Sequence, residues 1–247
     1  MLDLKNKKRL WIGAAVGALL AAGGVLALVV LLSSQERLPP VLPDESRKDG
    51  FTFFNLGADS VYSNRVREAL ENILGAGVLE SPGIIDLPAE DKGFLKDHFP
   101  EIYRLHLQLL DPGGARIEHD ITRLTFRYAL KRNTPFYFVE LVFSNHSGNP
   151  LFFRIRAKKE AFGIVDEIGA KYGEPMKIAN TEDNLPAYFW RRENEHFLIS
   201  EKKDRFGQPE FHFMIYFMEN LQELIAIEEK DRFAQEEKRQ KAARKAF

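Results

Sequence analysis

Six histidines and no cysteine bound the side-chain chemistry open to this chain of 247 residues. A thiol nucleophile, a thiolate metal site and a lipid-bearing cysteine are all excluded. His98 and His106 stand eight residues apart, which on a helix is about 80° around the axis and roughly two turns along it, too far to share an ion. No H-E-x-x-H pair occurs, so neither a metal nor another cofactor is expected. The densest acid/base group is Glu118, His119 and Asp120, beside the glycine-rich turn "DPGG" at 111–114. In a strand His119 points away from both of its neighbours, so adjacency does not make a working pair. No G-x-S-x-G elbow and no phosphate-cradling G-x-x-x-x-G-K-[ST] loop is present. "GAGVLESPG" departs from a dinucleotide fingerprint and follows a helical rather than a strand pattern. A hydrolase built on two carboxylates leaves no motif and stays open.

Charge alternation gives one candidate binding surface. If Tyr137, Val139, Leu141 and Phe143 face the main core, Phe136, Phe138, Glu140 and Val142 face the other way, together with Phe152, Arg154 and Arg156 and with Arg123 and Arg127 on the preceding strand. Arg123, Arg127, Arg154 and Arg156 then form a cationic patch whose planar donors suit a carboxylate or phosphate. Their alternative use is pairing with Glu140 across strands. A slip of one residue in register would exchange the two faces.

The elements that must position these residues read as an α+β layer. "FTFFNL" at 51–56 is a candidate edge strand. A helix follows, capped by Asp59 or Ser60, with Val61, Val66, Leu70, Ile73 and Leu74 on one face and Gly75 as its stop. A second helix covers 93–110, with Pro100 as a kink or a first turn. The period then changes to two in "DITRLTFRY", and "FYFVELVF" and "PLFFRIRA" flank "SNHSGN", the turn of a hairpin. A helix at 158–175 turns Phe162, Val165, Ile168 and Tyr172 inward, and "AYFWRR", "HFLISEK" and "EFHFMIYFM" supply further strands. Asn220 can cap a last helix that docks through Leu221, Leu224, Ile225 and Ile227. From Glu228 to Lys245 twelve of 18 residues are charged, the pattern of a solvated extension. No internal repeat is visible.

Ahead of all this lies an address. Leu10 to Leu32 are 23 residues without a charge, about 34 Å as a helix, against a hydrocarbon core of about 30 Å. No small-residue cleavage site follows the run, so a signal anchor rather than a cleaved signal is expected. Lys5, Lys7, Lys8 and Arg9 precede it and only Arg37 follows closely, which keeps residues 1–9 in the cytoplasm and exports the rest. Gly13, Gly17 and Ala21 recur every four residues, a pattern that permits close packing of a membrane homodimer. Residues 33–50 form a Pro-rich linker, 51–227 one extracytoplasmic domain and 228–247 the charged helical tail. With +3 before the linker, −1 within it and +2 in the tail, the overall −1 leaves the domain at −5, which argues against nucleic acid as a partner. The expectation is a single-pass protein of a bacterial cytoplasmic membrane whose outer α+β domain binds or assembles another envelope component. A membrane-tethered hydrolase of envelope polymer is the alternative.

Overall fold

A computed structural model describes residues 50–246 except 81, 88–91, 128, 159–162, 180–184 and 205. The expected anchor with Gly13, Gly17 and Ala21, the linker up to residue 49, and Phe162 lie outside the described residues. Among the described residues no helix is long and apolar enough to cross a membrane. The fold below is that of the compact unit Val41–Phe247.

The unit is α+β. Helix α1 (Asn64–Leu74) precedes strand β1 (Val78–Glu80); a short pair, β2 (Gly83–Ile84) and β3 (Glu118–His119), encloses α2 (Lys92–His98) and α3 (Pro100–Gln108). Strands β4 (Ile121–Phe126), β5 (Phe136–Ser144) and β6 (Pro150–Lys158) lead to α4 (Ile164–Tyr172). Then come β7 (Met176–Ala179), β8 (Pro186–Arg192), β9 (Glu195–Lys203), β10 (Pro209–Phe217) and α5 (Met218–Lys245). One antiparallel sheet takes eight strands in the order β1-β4-β5-β6-β10-β9-β8-β7. That order is two four-stranded meanders joined back to back, each preceded by a helix. The repeat is topological and escapes the sequence, because the first connection of the first meander carries the inserted β2-α2-α3-β3 segment.

Two apolar layers hold the sheet. On one face Leu124, Phe126, Val139, Leu141, Phe143, Phe153, Ile155, Phe213 and Ile215 pack with Val66, Leu70 and Leu74 of α1, and α4 adds Ile164, Val165 and Ile168. On the other, Val142, Phe152, Leu198, Met214 and Tyr216 pack under α2, α3 and the first turns of α5. Two-residue alternation along β5, β6 and β10 is what divides the side chains between these layers.

Local chemistry sets the ends of the elements. The Ser63 hydroxyl accepts the Val66 N–H at 3.3 Å, so the cap of α1 is Ser63, not Asp59 or Ser60, and Val61 is exposed ahead of it. Gly75, at φ +89°, ends the helix as expected. Residues 93–110 make two helices, because Pro100 cannot donate an N–H and starts a new first turn. "FTFFNL" is a tight turn rather than a strand: Phe53 and Leu56 bridge each other and Phe54 and Asn55 hold positive φ. Asn220 lies inside α5, where its amide Nδ2 donates to Ala58 O at 2.9 Å and Pro150 O at 2.8 Å.

Candidate functional site

The second sheet face changes character along its strands. Its upper part lies under α2, α3 and α5, and below that part the side chains turn polar. Glu140 of β5 faces Arg154 of β6 directly across the ladder. Arg154 Nη1 lies 3.2 Å from Glu140 Oε1, and Arg123 Nε lies 3.8 Å from Glu140 Oε2. Both arginines also donate to the segment that crosses above them, Arg154 to Asp86 O at 2.7 Å and Arg123 to Ile84 O. These two arginines tie the inserted segment to the sheet. Arg156 stacks its guanidinium 5.2 Å over the Phe138 ring, and its burial lowers its pKa, a shift that Glu210 opposes. Arg127 is exposed beyond the end of β4. The structure thus brings three of the four arginines to one face and sets the fourth past the end of its strand.

The next rows of that face hold a cluster that alternation only half reveals. Glu210 and His212, two residues apart on β10, share a face, and His212 Nε2 lies 2.5 Å from Glu210 Oε1. The Tyr137 hydroxyl donates to the same oxygen. Strand β5 shifts register between Phe136 and Phe138, so Phe136 packs on the main core and Tyr137 joins the polar side, the reverse of the simple alternation. Burial and the bond to Glu210 push the Tyr137 hydroxyl up. Burial pushes His212 down to about 4, so at neutral pH two uncharged donors meet one carboxylate. Ser200 of β9 is paired directly opposite His212. A hydroxyl beside an imidazole held by a carboxylate is the raw material of an activated nucleophile. The strands around it are regular: β9 and β10 pair without interruption from Glu195 to Lys203, so the N–H groups that point between these two strands are spent in the ladder rather than aimed at an oxyanion.

A different concavity of about 960 Å³ opens where α5 leaves β10. Asp59, Glu193, Glu195, Glu219 and Glu223 line it, with Arg192 the one cation among the described lining residues and Gly50 at its edge. Glu195 is buried and accepts the Phe51 N–H at 2.7 Å, which fixes the incoming chain against the start of β9. The cleft's asparagines hold its walls. Asn149 donates to Ser60 O at 3.3 Å, Asn194 to Glu219 Oε2 at 3.1 Å, and Asn220 bridges two carbonyls. The Arg192 guanidinium lies over Phe51 at 5.6 Å and Tyr172 at 5.2 Å. The result is a polar, open, acid-dominated cleft whose walls come from distant parts of the chain. That is why no stretch of sequence announces it.

Of the remaining histidines, His106, His119 and His196 are buried, and His98 and His146 are exposed. His98 and His106 sit on separate helices, and among the described residues no group of three or more His, Asp or Glu could hold a metal ion. His119 is buried between exposed Glu118 and Asp120, as strand alternation requires. Its Nδ1 lies 2.6 Å from Glu228 Oε2 and its Nε2 3.0 Å from Leu109 O. His196 lies 3.0 Å from Glu101 Oε1, and burial lowers its pKa. No family model, curated protein or solved structure matches the chain.

Proposed function

We propose that this chain is a single-pass membrane-anchored protein of the cell envelope, held by residues 10–32, whose extracytoplasmic α+β domain is a binding and assembly module. The observation that carries the reading is the acid-lined cleft. Five carboxylates against one arginine among the described lining residues, in a wide and open concavity, suit a lysine- or arginine-bearing segment of an envelope protein better than a small apolar ligand. Gly50 lies at its edge, which on this reading sets the cleft close to the end of the linker. The arginines of the second face are a weaker candidate, because Arg123 and Arg154 already share Glu140.

The test is crosslinking of the full-length chain in its native membrane, followed by recovery of bound protein. The double variant Glu219→Gln and Glu223→Gln removes two charges from the first turns of α5. At about 0.7 kcal/mol for each surface ion pair, recovery should fall roughly tenfold. Unchanged recovery by a folded double variant removes the cleft from the account. The same cleft carries the second reading, since two of its acids could serve a membrane-tethered glycoside hydrolase. Release of soluble fragments from envelope polymer, abolished by the same substitutions, would decide for the enzyme.

A further inference from the structure

Helix α5 continues far past the body of the domain. Leu221, Leu224 and Ile225 are buried, Ile227 and Glu228 are half-buried, and every residue from Glu229 to Ala246 is exposed. Those 18 residues reach about 27 Å at 1.5 Å per residue. This stretch gains none of the tertiary packing from which most helical stability comes, and a helix that is polar all round commonly bridges to another body. Phe233 is the most exposed of the large apolar side chains among the described residues, at 76%.

The charge along this helix is divided in two. Residues 228–237 hold five acids and two bases, a balance of −3, whereas residues 238–245 hold Lys238, Arg239, Lys241, Arg244 and Lys245 and no acid, a balance of +5. One unbroken helix cannot fold its basic half onto its acidic half. A second copy running antiparallel sets each basic half against the other's acidic half, while a parallel copy sets like against like. With the pair centred between residues 237 and 238, Phe233 of each copy lies level with Ala242 and Ala243 of the other, a small-residue surface that can receive a ring. The two bodies then stand at opposite ends of the overlap and do not collide.

We propose that the projecting part of α5 is a self-association surface, and that its occupant is the same segment of a second copy in antiparallel register. The contact is separate from the cleft and from any packing of the membrane segment.

The absence of cysteine makes the test direct. In full-length chains kept in the membrane and exposed to a mild oxidant, Lys238→Cys, near the centre of the pair, should give a disulfide-linked dimer. Asp231→Cys alone and Arg244→Cys alone should not, but the two co-expressed should link to each other. Raising salt from about 0.05 M to 0.5 M should lower the Lys238→Cys dimer several-fold, because exposed charges are screened. Failure of both Lys238→Cys and the mixed pair overturns the proposal. So does equal self-linking at 231, 238 and 244, which is the pattern of a parallel pair.

Discussion

Glu228 marks where α5 stops belonging to the domain, and its removal should cost far more than the loss of everything after it. Its Oε2 lies 2.6 Å from His119 Nδ1, and its Oε1 accepts the Asp120 N–H at 3.2 Å. The His119 side chain is 1% exposed and that of Glu228 18%, so water cannot replace the carboxylate at the ring nitrogen. In Glu228→Ala the His119 nitrogen loses its partner inside the protein, a cost of about 1–3 kcal/mol, and the bond to exposed Asp120 adds about 0.5–1 kcal/mol. The expected total is about 2–3 kcal/mol, or roughly 5–10 °C in Tm for a domain of this size. Deletion of residues 233–247 should change Tm by less than about 2 °C, because those side chains bury almost no apolar area. Trp190 is buried on β8 and donates to Gly173 O at 2.7 Å, so its fluorescence reports the unfolding of the domain. A Glu228→Ala protein within about 0.5 kcal/mol of wild type would show that this contact does not hold the helix, and a deletion as costly as Glu228→Ala would show that the tail packs.

Glu140 should be the most sensitive charge on the sheet. Its side chain is 12% exposed and holds Arg123 and Arg154, which are 16% and 13% exposed, so Glu140→Gln leaves two largely buried cations and should cost about 2–4 kcal/mol in urea unfolding; a cost under about 0.5 kcal/mol would mean the arginines are held by the carbonyls alone. His212, facing Glu210, Arg156 and Lys202, is held down to about 4 against 6.5 in the unfolded chain. Between those values the unfolded chain binds the extra proton, so stability is full above about pH 6.5 and falls as the pH drops toward 4, by on the order of 3 kcal/mol. His212→Gln should remove most of that loss, with His196 leaving a smaller slope of the same sign; an acid limb identical in wild type and variant refutes the assignment.

Much of the fold is legible because the period of the apolar residues changes where the structure changes. The β5–β6 hairpin, strands β8 to β10 and the stops at Gly75 and Gly173 follow from alternation and turn chemistry. Strand β7 is not legible, since "MKIA" is a short edge strand that buries no residue fully and so carries no alternation. The face of Tyr137 is lost for another reason: one irregularity between Phe136 and Phe138 reverses the parity of everything before it. The acid cleft is least legible of all. Asp59, Glu193 and Glu223 come together only because the entry of α1, the β8–β9 turn and the start of α5 meet at one end of the sheet, and no local pattern encodes that meeting.

The two meanders also explain why the polar residues lie where they do. Helices α1 and α4 precede corresponding first strands and cover the same face, so in both halves that face carries the larger apolar layer under a helix. The opposite face has no such pair of covers. It is closed by two pieces without counterparts, the inserted α2-α3 segment in the first half and α5 after the second, and both lie over the upper rows of Val142, Phe152, Tyr216 and Leu198. The rows below, with Glu140, Arg154, Arg156, Glu210 and His212, are left to satisfy one another, which requires charges and donors in matched positions rather than apolar bulk. Where the cover ends, the face must become polar for the sheet to remain soluble, so a polar row at that level needs no ligand to account for it. The acid cleft is different: no such packing rule calls for five carboxylates among the described residues around one opening, and it is for that reason that the cleft, rather than the polar rows, carries the proposed binding reading.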